Sequence, residues 1–222
     1  MKLSKIVLAT AGLVLVYFIL GTALYSSMPE VMASHWDAAG QVNGTISRFW
    51  GVFLFPLFSL SISLILLAVP RIDPLRANIQ KFKGYYYGFI IAFQIYFLYI
   101  YMLTLVWNLG FKFDFSTAVI PSIGFLMFFL GILISKAKRN FFIGIRTPWT
   151  LSSDEVWDRT HHVGGIIFKV AGLIVVLLAF APAVAIYSLI IIMFGTTLGL
   201  VVYSYVLYRK LGLPPQPPIG RN

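Results

Sequence analysis

The chain lacks cysteine and carries little charge, and both absences narrow its possible functions. Without cysteine it has no disulfide bonds, cysteine-ligated zinc sites or cysteine nucleophiles. Charged residues make up only 11% of the 222 residues, whereas a soluble domain usually has about 25%. Acidic residues number 7 against 17 basic ones, a formal net charge of +10. In a soluble protein that balance would favour nucleic-acid binding. Because 59% of this chain is hydrophobic, the meaning of the net charge depends on where the charged residues lie along the chain.

The charged residues divide the chain into long uncharged runs. Four of these runs contain 24, 22, 28 and 21 residues, at positions 6–29, 49–70, 84–111 and 115–135. About 20 apolar residues suffice for a helix to cross a bilayer, so each run predicts one span. The fifth run, 170–208, has 39 residues, too many for one span. When it is extended back to Gly165 and divided near Pro182, it predicts two more transmembrane helices. We therefore predict an all-α polytopic membrane protein, a bundle of six transmembrane helices.

The basic residues alternate from side to side with these spans. Fifteen of the 17 lysines and arginines fall on one predicted side, and only Arg48 and Lys112 fall on the other. The positive-inside rule places the basic side, with both chain termini, in the cytoplasm. We expect a multi-pass cell-membrane protein whose basic face attracts membrane lipid, without direct nucleic-acid binding. The first span is expected to be retained, because its uncharged stretch exceeds the apolar core of a usual signal peptide.

The predicted outer loop, residues 27–48, combines three functional side-chain types in a row. His35, Trp36 and Asp37 bring together an imidazole, an amphipathic ring and a carboxylate, and Gly40 follows closely. One interpretation is an interfacial anchor, with Trp36 at headgroup depth and Asp37 capping a turn. A second is a ligand-contacting site. A metal site is the least favoured alternative, because one histidine and one aspartate fall short of three or four ligands.

The second predicted cytoplasmic segment, residues 136–165, carries the strongest local signals. Ser152 and Glu155 have the spacing of a capping box, which predicts the start of a short amphipathic helix lying in the interface plane. The glycine pair at 164–165 is expected to interrupt or bend that helix before span five. This segment predicts a short interfacial helix between the fourth and fifth spans.

Two adjacent histidines in the same segment invite comparison with a metal site. Neighbouring helical residues point about 100° apart, so His161 and His162 do not face one ion together. A hydrogen-bonded interfacial pair is the favoured interpretation, with a pH-sensitive switch and a metal site as alternatives. Within the spans we find no ionisable residue clear of the interfaces, counting Lys169 at the entrance of span five. Pumps and ion-coupled transporters normally need such groups. Since the sequence also has no nucleotide-binding motif, we expect neither a pump nor an enzyme, and no cofactor.

Two segments together resemble the SdpI family of membrane proteins. The first is the outer-loop run Pro29-Glu-Val-Met-Ala-Ser-His35-Trp36-Asp37-Ala-Ala-Gly40. The second is the longer run Asn140-Phe-Phe-Ile-Gly144-Ile-Arg146-Thr147-Pro148-Trp149-Thr-Leu-Ser-Ser-Asp-Glu-Val-Trp157. The resemblance implies an immunity protein against a secreted peptide toxin, and in some members a signalling protein that holds a cytoplasmic repressor at the membrane. The doubled His161-His162 departs from the more basic or polar continuation expected of the family.

The resulting hypothesis is an SdpI-like, non-enzymatic membrane protein. It would give immunity to an envelope-active peptide toxin or signal its presence, with a cytoplasmic transcriptional repressor as a further partner. We expect a two-span unit over residues 1–83, which carries the outer loop, and a four-span unit over residues 84–222. The residues expected to bind a ligand or partner are His35, Trp36, Asp37, Gly40, Gly144, Arg146, Thr147, Pro148, Trp149 and Trp157.

A small-molecule or lipid transporter or channel is the alternative function. A polar cavity lined by Gln94, Asn108 and Ser59 would favour it. An enzyme using His35 or the paired histidines would instead need bound metal, or a cavity that joins a histidine to several carboxylates.

Overall fold

A computed structural model describes residues 3–212 of the chain. Within them, six helices are long and apolar enough to cross a membrane, which confirms the predicted six-span, all-α architecture. The helices are α1 (Leu3–Leu24), α2 (Arg48–Ile72), α3 (Arg76–Asn108), α4 (Phe115–Lys136), α5 (Pro148–Ser152), α6 (Asp154–Leu177) and α7 (Pro182–Lys210), with strands β1 (Val31–Trp36) and β2 (Val42–Ser47) after α1. Because consecutive spans alternate in direction, the two described chain ends share one side, called here the terminal face. The opposite side, with the strands, is the hairpin face.

The outer loop folds as a β-hairpin, which the sequence did not predict. Strands β1 and β2 pair antiparallel, with Val31 opposite Ser47, and the register shifts on both sides of His35. Met32 and Ala33 are buried, and Met32 packs where a side chain on Gly51 would otherwise lie. The hairpin therefore packs on the first turn of α2 and is part of the folded structure.

Helices α4 and α6 pack backbone against backbone through glycines. A Cβ atom on Gly172 would lie 2.5 Å from the carbonyl oxygen of Gly124, and one on Gly131 would lie 2.8 Å from the carbonyl oxygen of Gly165. Small residues let membrane helices approach closely, so that packing and short polar contacts hold them together. These four glycines form what we call the glycine seam.

Two predictions about the start of α6 are wrong. Ser153, one residue after the predicted cap, accepts the hydrogen bond from the backbone N–H of Val156, while Ser152 ends the short helix α5. The glycine pair at 164–165 does not interrupt α6, which runs unbroken from Asp154 to Leu177. Its glycines instead provide room for close neighbours, since a side chain on Gly165 would meet Ser135 of α4.

A buried polar network joins the first three spans. The Ser59 hydroxyl donates to Gln94 Oε1 (2.6 Å), and Gln94 Nε2 donates to the Ser63 hydroxyl (2.6 Å). The Tyr17 hydroxyl of α1 donates to the backbone carbonyl of Gln94 (2.7 Å). Ser59 and Gln94 are fully buried, and their polar atoms are hydrogen-bonded to one another. This arrangement stabilises helix packing and gives no support to the polar transport cavity.

Candidate functional site

On the hairpin face, the predicted motif holds the hairpin against the start of α4. The Trp36 ring stacks in parallel on Phe115, with centroids 3.7 Å apart, and meets the edge of Trp107 at 5.4 Å. Such aromatic contacts add about 0.5–1.5 kcal/mol beyond the area they bury. Trp36 is therefore an anchor within the protein, and its binding role stays a prediction.

Asp37 and Gly40 form the hairpin turn that touches α4. Asp37 Oδ1 accepts hydrogen bonds from the backbone N–H groups of Ala39 and Gln41, both at 2.9 Å, which confirms the turn-capping interpretation of this carboxylate. Gly40 has φ +73°, and a Cβ there would lie 2.9 Å from Asp114 Oδ1. A left-handed backbone and a close neighbour together require glycine at this position.

His35 is the motif residue that remains accessible. Its side chain is exposed, and Nδ1 lies 2.5 Å from Asn43 Oδ1 on β2. Beneath it lies a cavity of about 320 Å³. Polar and apolar side chains share the lining: Ser34, His35, Thr104 and Ser116 with Trp36, Phe55, Ile100, Phe115, Val119, Ile120, Ile123, Ile186 and Leu189. A pocket of this kind suits an occupant with an apolar body and a polar end.

Asn108, at the end of α3, fastens the hairpin from the other side. Its Oδ1 accepts from the backbone N–H of Ala33 (2.7 Å), and its Nδ2 donates to the carbonyl of the same residue (3.0 Å). We expect Asn108→Leu to break both bonds and loosen the hairpin. Hydrogen–deuterium exchange of residues 31–47 should accelerate severalfold, since each bond is worth about 1 kcal/mol. Unchanged exchange there would contradict this role.

On the terminal face, Asn140 shapes the loop that follows α4. Its side chain is fully buried. Oδ1 accepts from the backbone N–H groups of Phe142 (2.9 Å) and Ile143 (2.6 Å), and Nδ2 donates to the carbonyls of Lys138 and Ile143 (both 2.8 Å). All of the hydrogen-bonding capacity of this amide is thus used within the loop, so Asn140 is structural.

Gly144 lies against a buried cluster formed by His161 and Trp157. His161 Nε2 accepts from the backbone N–H of Ile145 (3.0 Å), and Nδ1 lies 2.8 Å from the carbonyl of Trp157. A carbonyl only accepts, so Nδ1 carries the proton and the ring is neutral. The His161 ring stacks on that of Trp157, with centroids 3.9 Å apart, and Trp157 Nε1 donates to the carbonyl of Ala137 (2.8 Å).

The two adjacent histidines lie in different environments. His161 is buried with both ring nitrogens engaged, whereas His162 is exposed. They do not form the interfacial pair favoured from the sequence. Within residues 3–212 no three histidines or acidic residues lie close enough to hold a metal ion.

The Thr147-Pro148-Trp149 run begins α5 and docks it on α7. Thr147 is the N-cap, with its hydroxyl accepting from the Thr150 N–H (3.2 Å), and Pro148 is the first helical residue. Thr147 Oγ1 also lies 3.1 Å from Ser204 Oγ, and the Trp149 ring packs on Tyr205. These residues have evident structural roles, and their predicted binding role is untested.

Arg146 is an exposed basic residue of the Asn140–Trp157 motif. One guanidinium nitrogen, Nη1, donates to the carbonyl of Phe141 at 2.7 Å. Three neighbouring basic residues are instead paired with acids of α6, at 2.9, 2.8 and 2.6 Å: Lys138 with Asp158, Arg139 with Asp154, and Arg159 with Glu155. In the described part of the chain Arg146 has no acidic partner, so its charge is available to another molecule.

A connection between the two halves of the chain was missed from the sequence. The buried Asp73, after α2, accepts from the N–H of Leu75 (2.6 Å) and from the distant N–H of Phe141 (2.9 Å). Asn78 Nδ2 donates to the carbonyl of Arg139 (2.9 Å). The short α2–α3 connection therefore holds the 137–147 loop in place. Hydrogen bonds between a side chain and a backbone group more than 60 residues away leave no local sequence signal.

Comparison with known proteins agrees with this arrangement. Residues 136–207 match the SdpI/YfhL protein family, and residues 12–60 match a domain of unknown function, DUF1648. The chain is 25% identical over 200 residues to the Immunity protein SdpI of Bacillus subtilis (strain 168), covering 87% of this chain and 91% of the relative. The predicted resemblance to the SdpI family is confirmed. No solved structure matches it.

The SdpI-family match begins at the last residue of α4 and ends within α7. It therefore contains the terminal-face motif and its buried His161–Trp157 cluster. The hairpin lies in the separate 12–60 match, outside the SdpI-family match. The predicted division into residues 1–83 and 84–222 stays a prediction.

Proposed function

We propose that this protein, which resembles the SdpI family, gives its cell immunity to an envelope-active peptide toxin or signals the presence of that toxin. The observation that carries the proposal is similarity along 87% of the chain to a protein named Immunity protein SdpI. In this proposal the protein resides in the cell membrane, with the hairpin face outside and the terminal face in the cytoplasm, as the distribution of basic residues favours.

The hairpin face would receive the peptide. The exposed His35 lies over the cavity of about 320 Å³, whose mixed lining suits an apolar side chain with polar groups behind it. The hairpin is fixed to α4 by the Trp36–Phe115 stack and by the Ser116 hydroxyl, which donates to the carbonyl of Asp37 at 3.1 Å. An occupant that displaced the hairpin would therefore act directly on α4.

The terminal face would pass the change to a cytoplasmic partner, such as a transcriptional repressor. Helix α4 leads from the hairpin to Ala137, whose carbonyl accepts from the buried Trp157 indole. Arg146 follows on the exposed part of the same loop. Arginine presents a planar, permanently charged donor group that binds carboxylates bidentately, which supports a role in holding an acidic partner.

Removal of the gene followed by challenge with envelope-active peptides tests the proposed function. Survival should fall in the deletion strain and return with the unaltered gene. Replacing Arg146 with alanine is expected to abolish protection while membrane insertion persists, because the exposed side chain makes only one backbone hydrogen bond. Arg159→Ala is the matched control, since it removes an exposed helical ion pair worth only about 0.5 kcal/mol.

The results separate the residue from the function. If the deletion strain survives every peptide as the parent does, the immunity proposal fails. If deletion sensitises the cell and the Arg146 variant still protects it, the assignment of that arginine fails. A reporter for the regulated gene, measured in the same strains, distinguishes loss of signalling from loss of protection.

A further inference from the structure

Lys169 lies deeper in the membrane than the sequence indicated. The sequence predicts a position at the entrance of span five. Helix α6 begins at Asp154, however, so Lys169 lies 15 residues beyond the start of this helix. A Cβ on Gly131 would lie 2.8 Å from Lys169 Cγ and from its backbone nitrogen. Gly131 precedes Lys136, the last residue of α4, by five positions. Lys169 is therefore about 7 Å closer to the membrane centre than Lys136.

No residue between positions 3 and 212 provides a counter-ion for this lysine. Among the described residues Lys169 has no hydrogen bond or ion pair, and its side chain is only partly exposed. The terminal-face acids are all engaged: Asp154, Glu155 and Asp158 in ion pairs with other residues, and Asp73 with backbone N–H groups. A lysine within a membrane span normally pairs with a partner or marks a functional site.

The direction of the side chain indicates where the partner lies. Side chains on a helix tilt toward its N-terminus, and the N-terminus of α6 is on the terminal face. The Lys169 stem lies against Gly131, within the apolar part of the bundle, and its ammonium group is drawn toward the headgroups of that leaflet. The phosphates of the lipids in that leaflet lie at headgroup level, which is where the extended ammonium group would meet them.

We propose that Lys169, at the edge of the glycine seam, binds the phosphate of an anionic lipid in the terminal-face leaflet. The inference is independent of toxin immunity. It assigns the chain a lipid site in which the protein provides the cation and the aliphatic wall, and the lipid provides the missing negative charge. An anionic glycerophospholipid such as phosphatidylglycerol has the required chemistry.

Native mass spectrometry of the detergent-purified full chain tests the site. Phosphatidylglycerol and phosphatidylcholine with identical acyl chains are titrated separately against the parent, Lys169→Met, Lys169→Gln and Lys169→Arg. Loss of the charge is expected to weaken binding of the first phosphatidylglycerol about fivefold, the effect of one basic residue near a lipid headgroup. Phosphatidylcholine binding should not change, and Lys169→Arg should retain most of the affinity. Lys5→Met, an exposed lysine near the start of α1, is the matched control.

The two charge-removing variants keep the test informative. Methionine and glutamine differ in polarity, so a loss common to both reports the charge and not one altered packing contact. The proposal is overturned if both variants bind phosphatidylglycerol like the parent, if they lose phosphatidylcholine equally, or if Lys5→Met has the same effect. Displacement of the lipid by excess inorganic phosphate would also overturn it, because the site would then take a soluble anion.

Discussion

Replacing Gly172 with alanine is expected to lower the thermal midpoint of the purified protein by roughly 2–12 °C. The added methyl group would lie 2.5 Å from the carbonyl oxygen of Gly124 and 2.8 Å from the backbone nitrogen of Phe128. Backbone atoms cannot rotate away as a flexible side chain can, so the two helices must separate. Overpacking of this kind costs about 1–3 kcal/mol, which corresponds to that shift for a chain of this length.

The matched control lies on α7. A Cβ on Gly199 would meet no atom within 4 Å, and alanine is favoured over glycine in a helix by about 1 kcal/mol. Gly199→Ala should therefore leave the midpoint unchanged or raise it. Scanning fluorimetry in one detergent, with the monodisperse fraction from size-exclusion chromatography, compares the variants. Equal midpoints for both would contradict the backbone packing of the glycine seam.

The second large effect is expected at Gly144. Its φ is +115°, where a side chain costs about 1–3 kcal/mol in strain, and a Cβ would also collide with His161 Nε2. The collision should break the hydrogen bond from the Ile145 N–H, which is worth about 1 kcal/mol more. Gly144→Ala should thus be among the least stable single variants of the terminal face, as measured by its thermal midpoint.

Gly110 separates strain from collision. Its φ is +105°, close to that of Gly144, but a Cβ there would meet no atom within 4 Å. Gly110→Ala should show the cost of strain alone, and the difference between the two variants reports the contact with His161. The double variant Gly144→Ala, His161→Ala should recover none of the strain but remove the collision. Equal destabilisation by Gly144→Ala and Gly110→Ala would refute the His161 contact.

The spans were predictable because hydrocarbon imposes a simple rule on sequence. Uncharged runs of at least about 20 residues are needed to cross it, and all six spans were found this way. Two predictions were wrong: the N-cap at Ser152 and the interruption of the helix at the glycine pair 164–165. Both features depend on packing. Ser153 competes with Ser152 for the same role one residue later. Gly165 faces Ser135 of α4 and Gly164 faces Leu200 of α7, so close packing explains the presence of both glycines, and flexibility does not.

The functional positions were predictable only as residue types. The motif containing His35 and Trp36 was recognised, but its hairpin was not. Only two adjacent residues of β1 are buried, so the strand shows no alternating pattern, and Met32 depends on α2 for its contacts. The position predicted for Lys169 was wrong because an uncharged run does not mark the first residue of a helix. Helix α6 begins 15 residues before Lys169, within a charged segment. The seven-residue spacing from Gly124 to Gly131 and from Gly165 to Gly172 was the available sign of the glycine seam.

That spacing also limits how α4 can move. The two contacts are separated by about 10 Å of helix rise on each partner. Sliding α4 along α6 by a single residue would take both contacts out of register together and press neighbouring side chains against backbone. The glycine contacts therefore oppose sliding of α4 along its own axis. A tilt or rotation of α4 has to include α6, so the two helices are expected to move as one rigid unit between the faces of the membrane.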